Sequence, residues 1–175
     1  MALEQRHLDF LTDVLGTHGV RHSGRNLLAH LMGTYDLLET WHASQDVCLA
    51  GLFHSIYGTN AFKHRCLDIE ALGDRQLVQV LIGEHAEFLV YVFCACDRPR
   101  ALLQVVGHKF PQVLDRITGN AIGLSQGSLS ELLEIEAANL LEQGAREQVL
   151  WRMAGCPSIS EMARRALRRK LGQAA

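Results

Sequence analysis

Apolar residues recur at helical spacing along most of this chain, and the periodic runs are separated by glycine, proline and short polar clusters. Between Leu3 and Leu15, residues Leu8, Leu11, Val14 and Leu15 share a face that Gly16 and Gly19 end, which predicts an N-terminal helix. RHSGR follows as a turn, with Ser23 placed as N-cap of the next helix. There Leu27, Leu28, Leu31 and Tyr35 form one apolar face, in a helix expected to end near Trp41. HASQD is a short polar connection to a second helix, Val47 to Ile56, which is apolar on nearly every side and so expected deep in the fold. So short a link makes the two helices antiparallel neighbours and brings residues of both to one place.

Beyond them GTNAFKHRCLD reads as a loop leading into a short turn over Ile69 to Leu72. After Asp74, QLVQVLIGEHAEFLVYVFCACD predicts one long helix, because its length and its Ala and Glu content outweigh the β-branched LVYVF. Ala86, Val90, Phe93 and Asp97 fall on one inward stripe of it, and Pro99 stops it. Arg100 to Leu114 is weakly patterned and split by Pro111. SLSELLEIEAANLLEQG predicts an amphipathic helix, with Ser128 or Ser130 and Glu131 or Glu134 as capping pattern and Gly144 closing it. SISEMARRALRRKLG predicts a last helix with Ile159, Met162, Ala166 and Leu167 inward and its arginines solvated. The fold class this pattern predicts is all-α.

With 175 residues, 48% of them hydrophobic, the chain can bury one sizeable core, and a single domain is expected. A formal net charge of -2 gives no reason to expect nucleic acid or an anionic membrane as partner, and RRALRRK reads as a solvated helical face. Cys48, Cys66, Cys94, Cys96 and Cys156 make an odd set without regular spacing, three of them inside apolar runs, and Cys94 and Cys96 read as core thiols. That usage, with no leader-like N-terminus and no run long enough to span a bilayer, makes the expected location cytoplasmic.

Two histidines change the picture. His30 and His54 sit on the two consecutive apolar helices, and imidazoles aimed into a core need partners. A metal ion serves both at once, since each neutral ring offers a lone pair and a divalent cation offsets its desolvation. The competing reading is a pair of core histidines satisfied by backbone or carboxylate groups. His7, His18, His42, His64 and His108 lie in polar contexts and are expected to be solvated.

A helix bearing His30, about two dozen residues, and then AGLFHSIYG, an apolar helix ending in His54, resembles the HD-domain superfamily of metal-dependent phosphohydrolases and its His-Asp-Ile-Gly motif. RHSGR ahead of GLFHSIYGT also resembles a bacterial branch of all-helical proteins. The resemblance implies a single HD-like bundle over 1–175, its core about 8–98 with a C-terminal helical extension over about 99–175, and a divalent cation, Mn, Mg, Zn or Fe, held by His30, His54 and Asp97. Ser55 stands where the motif has Asp, which argues against a two-metal site, since a hydroxyl is a poor substitute for a carboxylate ligand. His22 is the first candidate to replace it, ahead of His85; an exposed turn histidine is the alternative for His22. Ser55 holds a water or bonds the preceding turn. Arg21, Arg25, Lys63 and Arg65 flank the site as phosphate or carboxylate holders, or are scattered surface charge, and Tyr57, Thr59 and Asn60 line the pocket mouth. The function implied is hydrolysis of a phosphorylated small molecule or nucleotide. The alternatives are an HD-type non-haem iron oxygenase similar to myo-inositol oxygenase, or a non-catalytic binding module; a homo-oligomer is open in each.

Overall fold

The structure is a computed structural model that describes residues 3–22, 24–60 and 62–172; the side chains of His22 and Arg25 fall outside the described residues. The fold is all-α, with two small hairpins as its β structure among those residues. Helix α1 (Gln5–Asp9) runs into a π-helical turn, Phe10–Val14, that Gly16 ends in the left-handed region at φ 61. Strands β1 (Arg21–His22) and β2 (Arg25–Asn26) pair Arg21 with Asn26 and His22 with Arg25, and deliver the chain into α2 (Leu27–Thr40). Ser23, the expected cap, lies outside the described residues. The cap is Asn26, whose side-chain oxygen accepts from the Ala29 N–H at 2.8 Å.

Helix α3 (Gln45–Phe53) starts at Ser44, which accepts from the Val47 N–H, and packs on α2 across Gly51. A Cβ at Gly51 would lie 2.3 Å from Leu38 Cδ1, so the missing side chain sets how closely the two helices approach. The long helix expected after Asp74 is two, α4 (Leu72–Ile82) and α5 (Glu84–Ala95). Gly83 divides them at φ 93, ψ 155, a backbone state open in practice to glycine alone. The second departure lies at the far end of α5. Cys96 is extended, so the chain leaves the helix before Asp97 and the inward stripe does not reach it.

The weakly patterned segment forms α6 (Arg100–Gln104) and a hairpin of β3 (Gln112–Leu114) with β4 (Ala121–Gly123), neither foreseen. Helix α7 (Gln126–Glu142) is capped by Ser125, three residues ahead of Ser128, whose N–H it accepts at 2.9 Å. Leu129, Leu132, Leu133, Ile135, Ala137 and Ala138 are all fully buried, so α7 is an interior helix, packed on α2, α3, α5 and α6. The segment read as an extension thus supplies part of the core. Helices α8 (Glu147–Ala154) and α9 (Glu161–Gly172) close over it, with Ala163 and Leu167 inward and Met162, expected inward, 40% exposed. No helix among the described residues is long and apolar enough to cross a membrane.

Candidate cation site and its pocket

His30 lies in the first turn of α2 and His54 at the C-cap of α3, and both are fully buried. Their Nε2 atoms stand 3.0 Å apart, with the rings edge to face at 82°. The other nitrogen of each ring is spoken for. His54 Nδ1 donates to the Gly51 carbonyl at 2.6 Å, and His30 Nδ1 donates in a short hydrogen bond to the Glu142 carboxylate at the end of α7. A carbonyl and a carboxylate only accept, so both Nδ1 atoms carry the proton, and a neutral ring then presents a lone pair at Nε2. Two such lone pairs at 3.0 Å repel unless a proton or another cation lies between them.

Local sequence explains how Glu142 reaches His30. A Cβ at Gly33, one turn on from His30, would fall 2.8 Å from Glu142 Oε1, so glycine there leaves the carboxylate its seat. Gln143 Nε2 sits 3.5 Å from His30 Nε2 and donates to Asn139 Oδ1 at 2.5 Å. Behind His54, the Phe93 ring packs edge to face and the Cys94 thiol donates to the His54 carbonyl at 3.0 Å. Burial pushes the Cys94 thiol up to about 12, so it stays protonated as a donor.

The remaining candidates separate. Asp97 is exposed and accepts from Asn60 Nδ2 at 2.8 Å; it is not brought to the histidines, because its helix has already ended. Among the described residues no group of three or more His, Cys, Asp and Glu side chains is placed to hold a metal ion. The side chains of His22 and Arg25 fall outside the described residues, and His85 is near the surface, bonded to Glu131. His7, expected in solvent, is fully buried: its Nδ1 accepts from the Glu4 N–H and its Nε2 donates to the Leu81 carbonyl.

Two clefts take up the expected binding residues. A pocket of about 360 Å³ lies beside the histidine pair, bounded by Arg21, Ser55, Thr59, Arg98, Glu136 and Gln143. Arg98 donates from Nη1 to Glu136 Oε2 at 2.7 Å and from Nε to the Phe93 carbonyl at 2.9 Å. Burial pushes the Glu136 carboxyl up, and Arg98 pulls it back. A second cleft, about 510 Å³, holds Tyr57, Thr59 and Lys63 together with Arg65 and Arg116; Thr59 borders both. Tyr57 itself points its hydroxyl away to Glu87, at 3.2 Å. Glu136, Asn139, Glu142 and Gln143 were missed from sequence. Their signal was there, as polar residues three and four apart on a helix otherwise apolar on that side.

A buried histidine pair between two helices, sealed by a carboxylate from a third, defines the class of site. Residues 11–98 match the model of a family described as a domain of unknown function, DUF6817, and the chain belongs to that family. No curated protein and no solved structure matches it.

Proposed function

We propose that His30 and His54 hold one divalent cation and that the chain is a hydrolase of HD type, acting on a small phosphorylated molecule seated in the adjacent pocket. The observation behind this reading is the pair of fixed tautomers that turn both Nε2 lone pairs toward each other across 3.0 Å. Two imidazole nitrogens on a tetrahedral zinc, bonded at about 2.0–2.1 Å, are separated by roughly 3.3 Å, close to the spacing present here. Glu142 and the Gly51 carbonyl stand where outer partners of metal-bound histidines stand, fixing ring orientation and raising basicity. A bound divalent ion would polarise a phosphoryl oxygen and acidify a water. Arg21 supplies positive charge to orient the substrate, and Ser55 and Thr59 supply hydroxyls at the same wall. With Ser55 after His54, a single ion suits the site better than two.

One observation favours a second reading. Since no group of three or more His, Cys, Asp and Glu among the described residues is placed to hold a metal ion, the positive charge between the rings can be a proton, giving a Glu142–His30–His54 relay in a non-catalytic binding module. Elemental analysis of protein purified without chelator separates the two. The metal reading expects about one equivalent of Mn, Mg, Zn or Fe, lost in His30→Ala and His54→Ala and lowered in His22→Ala if that residue adds a ligand. Iron with an optical signature would move the chemistry to oxidation. No metal, and no uptake from solutions of any of the four ions, would leave the proton relay.

A further inference from the structure

We propose that the cleft over Gly58 is a binding site for a small organic anion carrying two or more negative charges. Lys63, Arg65 and Arg116 surround it, and Glu70 is the one acid among the described residues that line it. Elsewhere this chain neutralises its inward cations closely: Arg75 reaches Glu87 through two nitrogens at 2.7 and 2.9 Å, and Arg98 is bonded to Glu136. Lys63, Arg65 and Arg116 are exposed, and none is matched so closely to a carboxylate among the described residues. Arg65 Nη1 is 3.8 Å from Glu70 and 4.0 Å from Asp68, the limit of an ion pair, and Lys63 has no ion pair among the described residues. Like charges held around one concavity repel, and an anion that enters relieves the repulsion and gains forked hydrogen bonds from the guanidinium groups.

The cations are positioned by the fold. Arg116 spends Nη2 on the Cys94 carbonyl at 2.7 Å while its own N–H donates to the Ala95 carbonyl at 3.0 Å, so the end of α5 anchors it where it lines the cleft. On the other wall, the N–H groups of Cys66 and Leu67 both return to the Ile56 carbonyl, at 2.8 and 3.2 Å, folding the loop back over Gly58. Gly58 has φ 74, and a Cβ there would lie 3.0 Å from Arg65 Cγ and 3.1 Å from the His64 carbonyl oxygen. Its bare backbone is the bed on which the Arg65 stem rests.

Shape narrows the ligand. About 510 Å³ is room for a small molecule rather than a lone ion, and the Tyr57 ring and Ile117 offer apolar wall for a carbon skeleton. Cys94 also lines the cleft, but it is buried and its thiol donates to the His54 carbonyl. The site requires no metal between His30 and His54 and meets the pocket of that pair at Thr59.

Isothermal titration of the whole chain at low ionic strength tests this, with pyrophosphate and citrate as probes. Saturable one-site binding of either probe is expected. Binding of pyrophosphate alone marks a phosphoryl ligand, and of citrate alone a carboxylate ligand. Lys63→Gln and Arg116→Gln should each weaken binding by about tenfold or more. Arg169→Gln on α9, outside the cleft, should change it by less than about twofold. Lys63 is an exposed side chain, so that variant keeps the test alive if Arg116→Gln disturbs the end of α5. Protein stripped of metal and returned to chelator-free buffer should bind the probes equally well, which separates this site from the histidine centre. Saturation by neither probe, or equal loss in Arg169→Gln and Lys63→Gln, overturns the proposal.

Discussion

The closeness of Gly33 to Glu142 makes a sharp energetic prediction. In an ordinary helix interior, Gly→Ala stabilises by up to about 1 kcal/mol, because alanine restricts the unfolded backbone and covers the helix. In α2 the new methyl would lie 2.8 Å from Glu142 Oε1 and 3.0 Å from its Cγ, so the carboxylate must swing away from His30. A hydrogen bond to a charged group is worth about 1.5–3 kcal/mol, so Gly33→Ala should destabilise by roughly 0.5–2 kcal/mol overall. Glu142→Ala alone should cost about 1–3 kcal/mol, since it strands a buried His30 Nδ1–H. The three atoms nearest the added Cβ all belong to Glu142, so in the Glu142→Ala background Gly33→Ala should instead stabilise by up to about 1 kcal/mol. Urea unfolding of the four proteins, with unchanged slopes, measures the cycle. The same effect of Gly33→Ala in both backgrounds would refute the account of how His30 is oriented.

Two further outcomes follow from buried titratable groups. Burial holds the His7 imidazole below its usual 6.5, against the opposing pull of the Leu81 carbonyl. On acidification the unfolded chain takes up this proton first, so the contribution of His7 is complete above pH 6.5 and is lost as pH falls from there through the folded value. His7→Gln should flatten the fall in urea midpoint between about pH 8 and about pH 5; an unchanged pH dependence would count against it. Burial also pushes Cys48 up to about 11, and Cys94 and Cys96 up to about 12; it raises Cys66 too, but Cys66 is only half-buried and so within reach of reagent. Iodoacetamide on the native protein should therefore mark Cys66 first, read by peptide mass mapping, and early labelling of Cys94 would contradict the packing behind His54.

The first two long helices and the meeting of His30 with His54 were legible in the sequence, because unbroken apolar spacing and a short polar link constrain neighbours strongly. Asp97 was misplaced for a local reason: one extended residue, Cys96, cancels the helical stripe, and nothing in FCACDRPR marks it. Gly83 was equally silent, since a lone glycine inside an apolar run does not reveal a left-handed backbone. The polar positions of α7 could be seen, but the pairing of Glu142 with His30 could not, because the two are 112 residues apart and only packing brings α7 onto α2. Those are failures of range and of single-residue geometry. The periodic pattern itself was read soundly over α2 and α7, but Val14, expected on the apolar face of the first helix, is 63% exposed, and on α9 Met162 gave way to Ala163.

The stretch shared with the family closes at Arg98, whereas the lid over the two imidazoles arrives with α7, well downstream. An alignment edge is therefore no folding edge in this protein. A fragment trimmed to the shared stretch would forfeit Glu142, bare the flanks of α2 and α3 that α7 covers, and open His30 to water. Any assay of the histidine pair on such a fragment would report on a different environment.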